Sequence, residues 1–138
     1  MSQDNVEVVR GIYNAFARGD VAAVLSAMSP DIEWVEAENF PLADRNPYRG
    51  PQAVAEGVFT RLAADWDGFG VEPEEYLDAG ETVVVLGRYR GTNKSTGQAM
   101  NPQLAHVWRV AGGKVTGFRQ YVDTLAVARA AGSVPVEG

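Results

Sequence analysis

The chain has 138 residues, no cysteine, one histidine and a formal charge of −6. This excludes disulfides, thiolate metal ligands, a cysteine nucleophile and a histidine-rich metal site. It also argues against nucleic acid or an anionic membrane surface as partner, because both call for clustered Lys and Arg and the basic residues here are scattered. The length suits one domain over 1–138, with its core in about 5–130 and a tail at 132–138. The longest apolar run, "VVVL", is far short of the roughly 20 residues of a membrane span. The opening "MSQDNVEVVR" has no basic region followed by an apolar segment. With no cysteine, these features fit a cytoplasmic protein.

Val6, Val9, Ile12, Tyr13 and Phe16 recur at three- and four-residue steps and predict a first helix with one apolar face. Gly19 suits its C-terminal cap, and Asp20 can cap a short second helix, "VAAVLSAM", with Val21, Val24, Leu25 and Met28 inward. "DIEWVEAE" alternates as a strand, with Ile32, Trp34 and Glu36 on one face. "NFPLADRNPYRG" has no period and reads as a loop of about a dozen residues, a length often tied to function. Phe40 and Tyr48, in or beside it, could form a lid or simply pack the loop. Pro51 opens a third helix, buried through Val54, Val58 and Leu62 and flanked by Phe59.

From Gly68 onward the period changes to two. Four strands follow, in "FGVEPEEYLDAG", "ETVVVLGRYRGTN", "QLAHVWRVAGG" and "KVTGFRQYVDT", with short turns at "DAGE" and "AGGK". "LAVARAAG" reads as a closing helix with Asp123 as its N-cap, though an acid at this position could also face a pocket. Helices first and a meander of strands afterwards predict an α+β fold in the order α-α-β-α-β-β-β-β, with a curved antiparallel sheet covered on one face by the N-terminal helices. Arg88 and Arg90 share a face of their strand with Val84 and Leu86, at a rim, a dimer face or against surface acids.

Strand parity supplies the candidate site. His106 shares a face with Leu104, Trp108 and Val110, and Gln120 with Phe118 and Val122. A neutral imidazole can donate through one nitrogen and accept through the other, and its reference pKa of about 6.5 suits acid–base work. Alternatively, His106 is a core residue with both nitrogens satisfied by neighbours, Gln120 among them. Glu36, if desolvated, would have its pKa raised toward a useful base strength; if solvated, it merely opens the loop. Glu36 and His106 could also form a buried pair. Tyr13, Phe16, Trp34, Phe59, Trp108, Phe118 and Val122 could wall a pocket for a flat apolar ligand, or be plain core. No metal-ligand spacing appears, and no cofactor is expected.

"ARGDVAAVLSAMSPDIEW", "YRGPQAV" and "HVWRVAGGKVTGFRQYVD", in this order of elements, resemble the nuclear transport factor 2-like superfamily. Within it they are most similar to SnoaL-like and ketosteroid-isomerase-like proteins. The resemblance implies a cone-shaped sheet wrapped around the first and third helices, a pocket inside, and a homodimer formed through the sheet. It places Glu36 where ketosteroid isomerases keep a carboxylate base and His106 where they keep a protonated aspartic acid. Gln120 falls about where a SnoaL-like cyclase keeps its acid/base aspartate, and the isomerase tyrosine falls at Ile12, next to Tyr13. The preferred expectation is cofactor-independent proton transfer, isomerase- or cyclase-like, on a small hydrophobic carbonyl or polyketide-like molecule. Glu36 would be base, His106 oxyanion donor or acid, and Gln120 an orienter. The alternatives are a non-catalytic protein that binds a small hydrophobic molecule, and an epoxide hydrolase holding a water between two carboxylates.

Overall fold

The computed structural model describes residues 2–133 of the chain, with side chains from Asp4 onward. Helix α1 (Ser2–Ala17) buries Val6, Val9, Ile12 and Tyr13 along one face. Asp20 caps α2 (Val21–Ser26), its side chain accepting the Ala23 N–H at 3.1 Å. That helix is shorter than its apolar spacing predicts. The chain is already extended at Met28, which opens β1 (Met28–Val35) and is buried there opposite Val115. Val21, expected inward, is 40% exposed.

The loop after β1 holds a 3₁₀ turn at Pro41–Arg45 and the two-residue strand β2 (Tyr48–Arg49). The third helix runs through α3 (Pro51–Val54), a wider π turn at Ala55–Phe59 and α4 (Thr60–Asp65), burying the expected Val54, Val58 and Leu62. Strands β3 (Trp66–Ala79), β4 (Thr82–Asn93), β5 (Ala99–Met100), β6 (Gln103–Ala111) and β7 (Lys114–Val122) follow, then α5 (Thr124–Ala131). Asp123 is the N-cap of α5, accepting the Ala126 N–H at 3.2 Å. Residues 134–138 of the expected tail lie outside the described residues.

The seven strands form one curved, unclosed sheet in the order β2-β1-β7-β6-β4-β3, with β5 paired to β4. All pairs are antiparallel except β1 with β7. The fold is therefore α+β, as predicted. Register shifts between Asp67 and Gly70, Pro73 and Glu75, and Arg109 and Val110 interrupt the ladders, and such irregularities bend and twist a strand. Arg88 donates to the Asn101 carbonyl at 2.8 Å and Arg90 to that of Gly68 at 3.0 Å. Neither borders the central cavity.

Phe40 and Tyr48 are 4% and 3% exposed and do not line that cavity, so they pack the loop and form no lid. The Tyr48 hydroxyl donates to the Leu42 carbonyl at 2.5 Å, and its ring lies against Gly57 in the π turn. A Cβ on Gly57 would meet that ring at Cε2 and Cδ2. Gly57→Ala is therefore expected to destabilise the protein by about 1–3 kcal/mol, read as a lower urea midpoint, because the Tyr48 ring has no free space to move into.

Candidate active site

Period-two alternation turns His106 and Trp108 of β6, Phe118 of β7, Trp34 of β1 and Tyr89 of β4 to the helix-covered face, where all are buried. The ladder sets His106 opposite Val85 on one side and Gln120 on the other, and Trp108 and Trp34 both opposite Phe118. Trp34 stacks on Phe118 with centroids 3.8 Å apart. Helix α1 brings Tyr13 across to them, and the third helix brings Val58, Phe59 and Leu62. Together they enclose a cavity of about 50 Å³, room for about three or four waters. Phe16, Phe59, Phe69 and Val71 are only half-buried and form its outer end.

Glu36, one residue past β1, is the sole carboxyl among the described residues lining this cavity, and no Lys or Arg lines it. It is 2% exposed. Its Oε2 accepts the Trp34 indole N–H at 2.8 Å. Oε1 has no hydrogen-bond partner, and no fully buried side-chain oxygen among the described residues lacks one, so Oε1 is open to the cavity. Burial pushes this carboxyl up to about 7, against the opposing pull of the Trp34 N–H and the Arg61 charge. The backbone of Glu36 is clamped by Asn46, whose Oδ1 accepts its N–H at 2.9 Å and whose Nδ2 donates to its carbonyl at 2.8 Å. Asn46→Ala is expected to remove about 0.5–1.5 kcal/mol per bond. It should also let Glu36 swing toward water, which a fall in the carboxyl pKa would register by NMR titration.

His106 is 3% exposed and touches no carboxylate. Its Nδ1 lies 2.6 Å from the Tyr13 hydroxyl and its Nε2 2.8 Å from that of Tyr89. Burial drives its pKa down to about 3, so the ring is neutral at ordinary pH. Trp108 Nε1 donates to the Tyr13 oxygen at 2.9 Å, and Gln120 Nε2 to the Tyr89 oxygen at 2.6 Å. Burial raises both tyrosine pKa values well above 10, so both keep their hydrogens.

Of the residues singled out in the sequence, Tyr13, Phe16, Trp34, Glu36, Phe59, His106, Trp108 and Phe118 line the cavity. Gln120 and Val122 do not. Gln120 stands behind Tyr89, and although it is opposite His106 in the ladder, its amide reaches Tyr89 and the Ala37 N–H instead. Val122, of the same parity, lies where β7 has run past the cavity's end. The possible Glu36–His106 pair does not form: Glu36 binds Trp34, and the imidazole is enclosed by the two tyrosines. Tyr89 and Asn46 escaped the sequence reading. Parity with the buried Val83 and Val85 points Tyr89 inward, whereas nothing in the loop composition distinguishes Asn46.

Among the described residues no group of three or more His, Cys, Asp or Glu could hold a metal ion, and no helix is long and apolar enough to cross a membrane. The epoxide hydrolase alternative calls for two carboxylates about a water, and among the described residues one carboxyl lines this cavity. The arrangement instead puts one carboxyl and two tyrosines on the lining of a single, largely apolar cavity.

The family model described as SnoaL-like domain matches residues 9–118. The crystal structure of an NTF2-like protein from Burkholderia thailandensis E264 is similar at a TM-score of 0.87 and 42% identity, covering 91% of this chain and 95% of that one. TerC, in a crystal structure with polyporic acid, is similar at a TM-score of 0.83 and 26% identity, covering 94% and 98%. The protein Rv0034 of Mycobacterium tuberculosis (strain ATCC 25618 / H37Rv) is 29% identical over 125 residues, 88% of this chain and 92% of that protein. A match over this much of the chain, on a fold of helices packed in a curved sheet, means that the chain belongs to the SnoaL-like domain family.

Proposed function

We propose that the chain is a cofactor-independent proton-transfer enzyme, isomerase- or cyclase-like, acting on a small neutral hydrophobic carbonyl compound. The observation that carries this is the free Oε1 of Glu36, a carboxyl raised to about 7 and open to an aromatic-walled cavity. Such a group is half ionised near neutral pH and strong enough to take a proton from carbon beside a carbonyl. The electron pair of that C–H bond passes to the carbonyl oxygen. A tyrosine hydroxyl facing the cavity then meets the developing negative charge, where the low dielectric makes the hydrogen bond worth more than in water. Protonated Glu36 can return the proton to the same or a neighbouring carbon.

His106 takes a different part from the acid or oxyanion donor that its position suggests. Both its nitrogens are engaged by tyrosines, so it acts through them. That TerC was co-crystallised with polyporic acid supports a small-molecule ligand in this fold. Half-buried Phe16, Phe59 and Phe69 would have to move outward for a ligand larger than the present cavity. The outer sheet face, where Tyr121 is 51% exposed beside Val107 and Arg119, is the surface on which a homodimer would form.

A non-catalytic binding protein is the second reading, favoured by the way His106, Tyr13, Tyr89 and Gln120 satisfy one another within the protein. Proton exchange separates the two. Small ketones incubated with the protein in D₂O and followed by NMR are expected to take up deuterium beside the carbonyl at a rate that depends on Glu36. Binding without exchange across a panel of cyclic and aryl ketones would establish the binding protein instead.

A further inference from the structure

The hydrogens of the cavity's polar groups can be counted. Gln120 is oriented by its Oε1, which accepts the Ala37 N–H at 3.0 Å, so it is the amide nitrogen that donates to Tyr89. The indole of Trp108 can only donate, and does so to Tyr13. Each tyrosine oxygen thus already accepts one hydrogen bond and still has its own hydrogen to place. Between them lies His106, bonded to one hydroxyl through each nitrogen. The ring is buried with no anion against it, so it is neutral and carries one hydrogen. Three hydrogens, two phenolic and one imidazole, therefore face two contacts, and each contact holds one.

We infer that His106 is a positioning residue that leaves the cavity a single tyrosine hydroxyl hydrogen: that of Tyr89 when the ring is protonated on Nε2, that of Tyr13 when it is protonated on Nδ1. In the first case the ring donates to Tyr89 and accepts from Tyr13; in the second the roles reverse. Neither hydroxyl has another acceptor among the described residues, and both tyrosines line the cavity, so the third hydrogen has only the cavity to point into. An imidazolium would free both hydroxyls instead. Glu36 lines the same cavity, and its carboxylate, when ionised, attracts whichever hydroxyl hydrogen points into it.

One donor, one carboxylate and no lining cation define the ligand class: a neutral molecule with one acceptor oxygen, a ketone rather than a carboxylate or phosphate. Only this last step rests on the proton-transfer reading. Nitrogen-15 NMR of the histidine-labelled protein is expected to show one protonated and one bare ring nitrogen. Infrared spectra of bound cyclopentanone should show one carbonyl band, lowered as for a single hydrogen bond. Tyr13→Phe, which leaves at most the Tyr89 hydrogen, should keep the ring neutral and should not lower the band. His106→Phe, which frees both hydroxyls, should lower the band further, whereas a merely structural histidine predicts no such shift.

A ring protonated at both nitrogens overturns the inference, and so does an unchanged band in His106→Phe. Should that variant not fold, the wild-type nitrogen spectrum and the Tyr13→Phe band still decide. Cyclopentanone that does not bind overturns the ligand class, leaving the nitrogen spectrum to decide the count. Matching spectra without deuterium exchange would end the enzyme reading and uphold the donor count.

Discussion

Glu36→Gln is expected to lower the rate of deuterium exchange, or of turnover, by about 10²–10⁴-fold while ligand binding stays within a few-fold of wild type. The substitution keeps the shape of the side chain. An amide oxygen can still accept the Trp34 indole N–H, which Glu36 accepts at 2.8 Å, and the backbone clamp by Asn46 does not involve the side chain. What is lost is the ability to take a proton. The effect should therefore fall on kcat, with KM nearly unchanged, which is the pattern of an interaction that matters only in the transition state. The pH profile is a second measure of the same group. Because the base must be ionised and its carboxyl is held at about 7, kcat/KM should rise through that pH and level off above it. A rate that is flat from pH 5 to 9, or an exchange rate in Glu36→Gln equal to wild type, would remove Glu36 from the chemistry.

The direction of each candidate side chain was legible in the sequence because a strand has a period of two. Trp34 on β1 and Glu36 just past its end, His106 and Trp108 on β6, and Phe118 and Gln120 on β7 all turn inward as that parity demands. Depth along the strand is a different quantity, and parity does not carry it. Gln120 and Val122 have the parity of Phe118 but lie beyond the cavity, one behind Tyr89 and one past its end. Tyr89 was hidden by its neighbours: in "VVVLGRYR" both faces begin apolar and the flanking arginines draw notice. The meeting of Tyr13 with His106 spans 93 residues and depends on how α1 is rotated against the sheet, which no local pattern records. In the short second helix local spacing overruns: the apolar steps continue to Met28, but that residue is buried as the first of β1, opposite Val115.

The two buried ionisable groups should also leave opposing marks on stability, visible only when one of them is removed. Burial raises Glu36 from an ordinary 4.5 to about 7. Between those values the folded protein holds a proton that the unfolded chain has released, so stability falls as pH rises, by about 3 kcal/mol over the whole interval. Burial lowers His106 from 6.5 to about 3. Between those values the unfolded chain holds a proton that the folded protein refuses, so stability falls as pH drops, by about 5 kcal/mol. From pH 4.5 to 6.5 the folded state carries its proton on Glu36 and the unfolded state on His106, the numbers bound are equal, and the two slopes cancel. Wild type should therefore show a plateau there. Glu36→Gln should instead gain about 3 kcal/mol relative to its own value as pH climbs across that same interval. His106→Asn should lose about as much. Urea midpoints at half-unit pH steps measure all three curves. If the Glu36→Gln curve ran parallel to wild type between pH 4.5 and 6.5, Glu36 would be titrating as a solvated carboxylate, and the burial that makes it a base would not exist in solution.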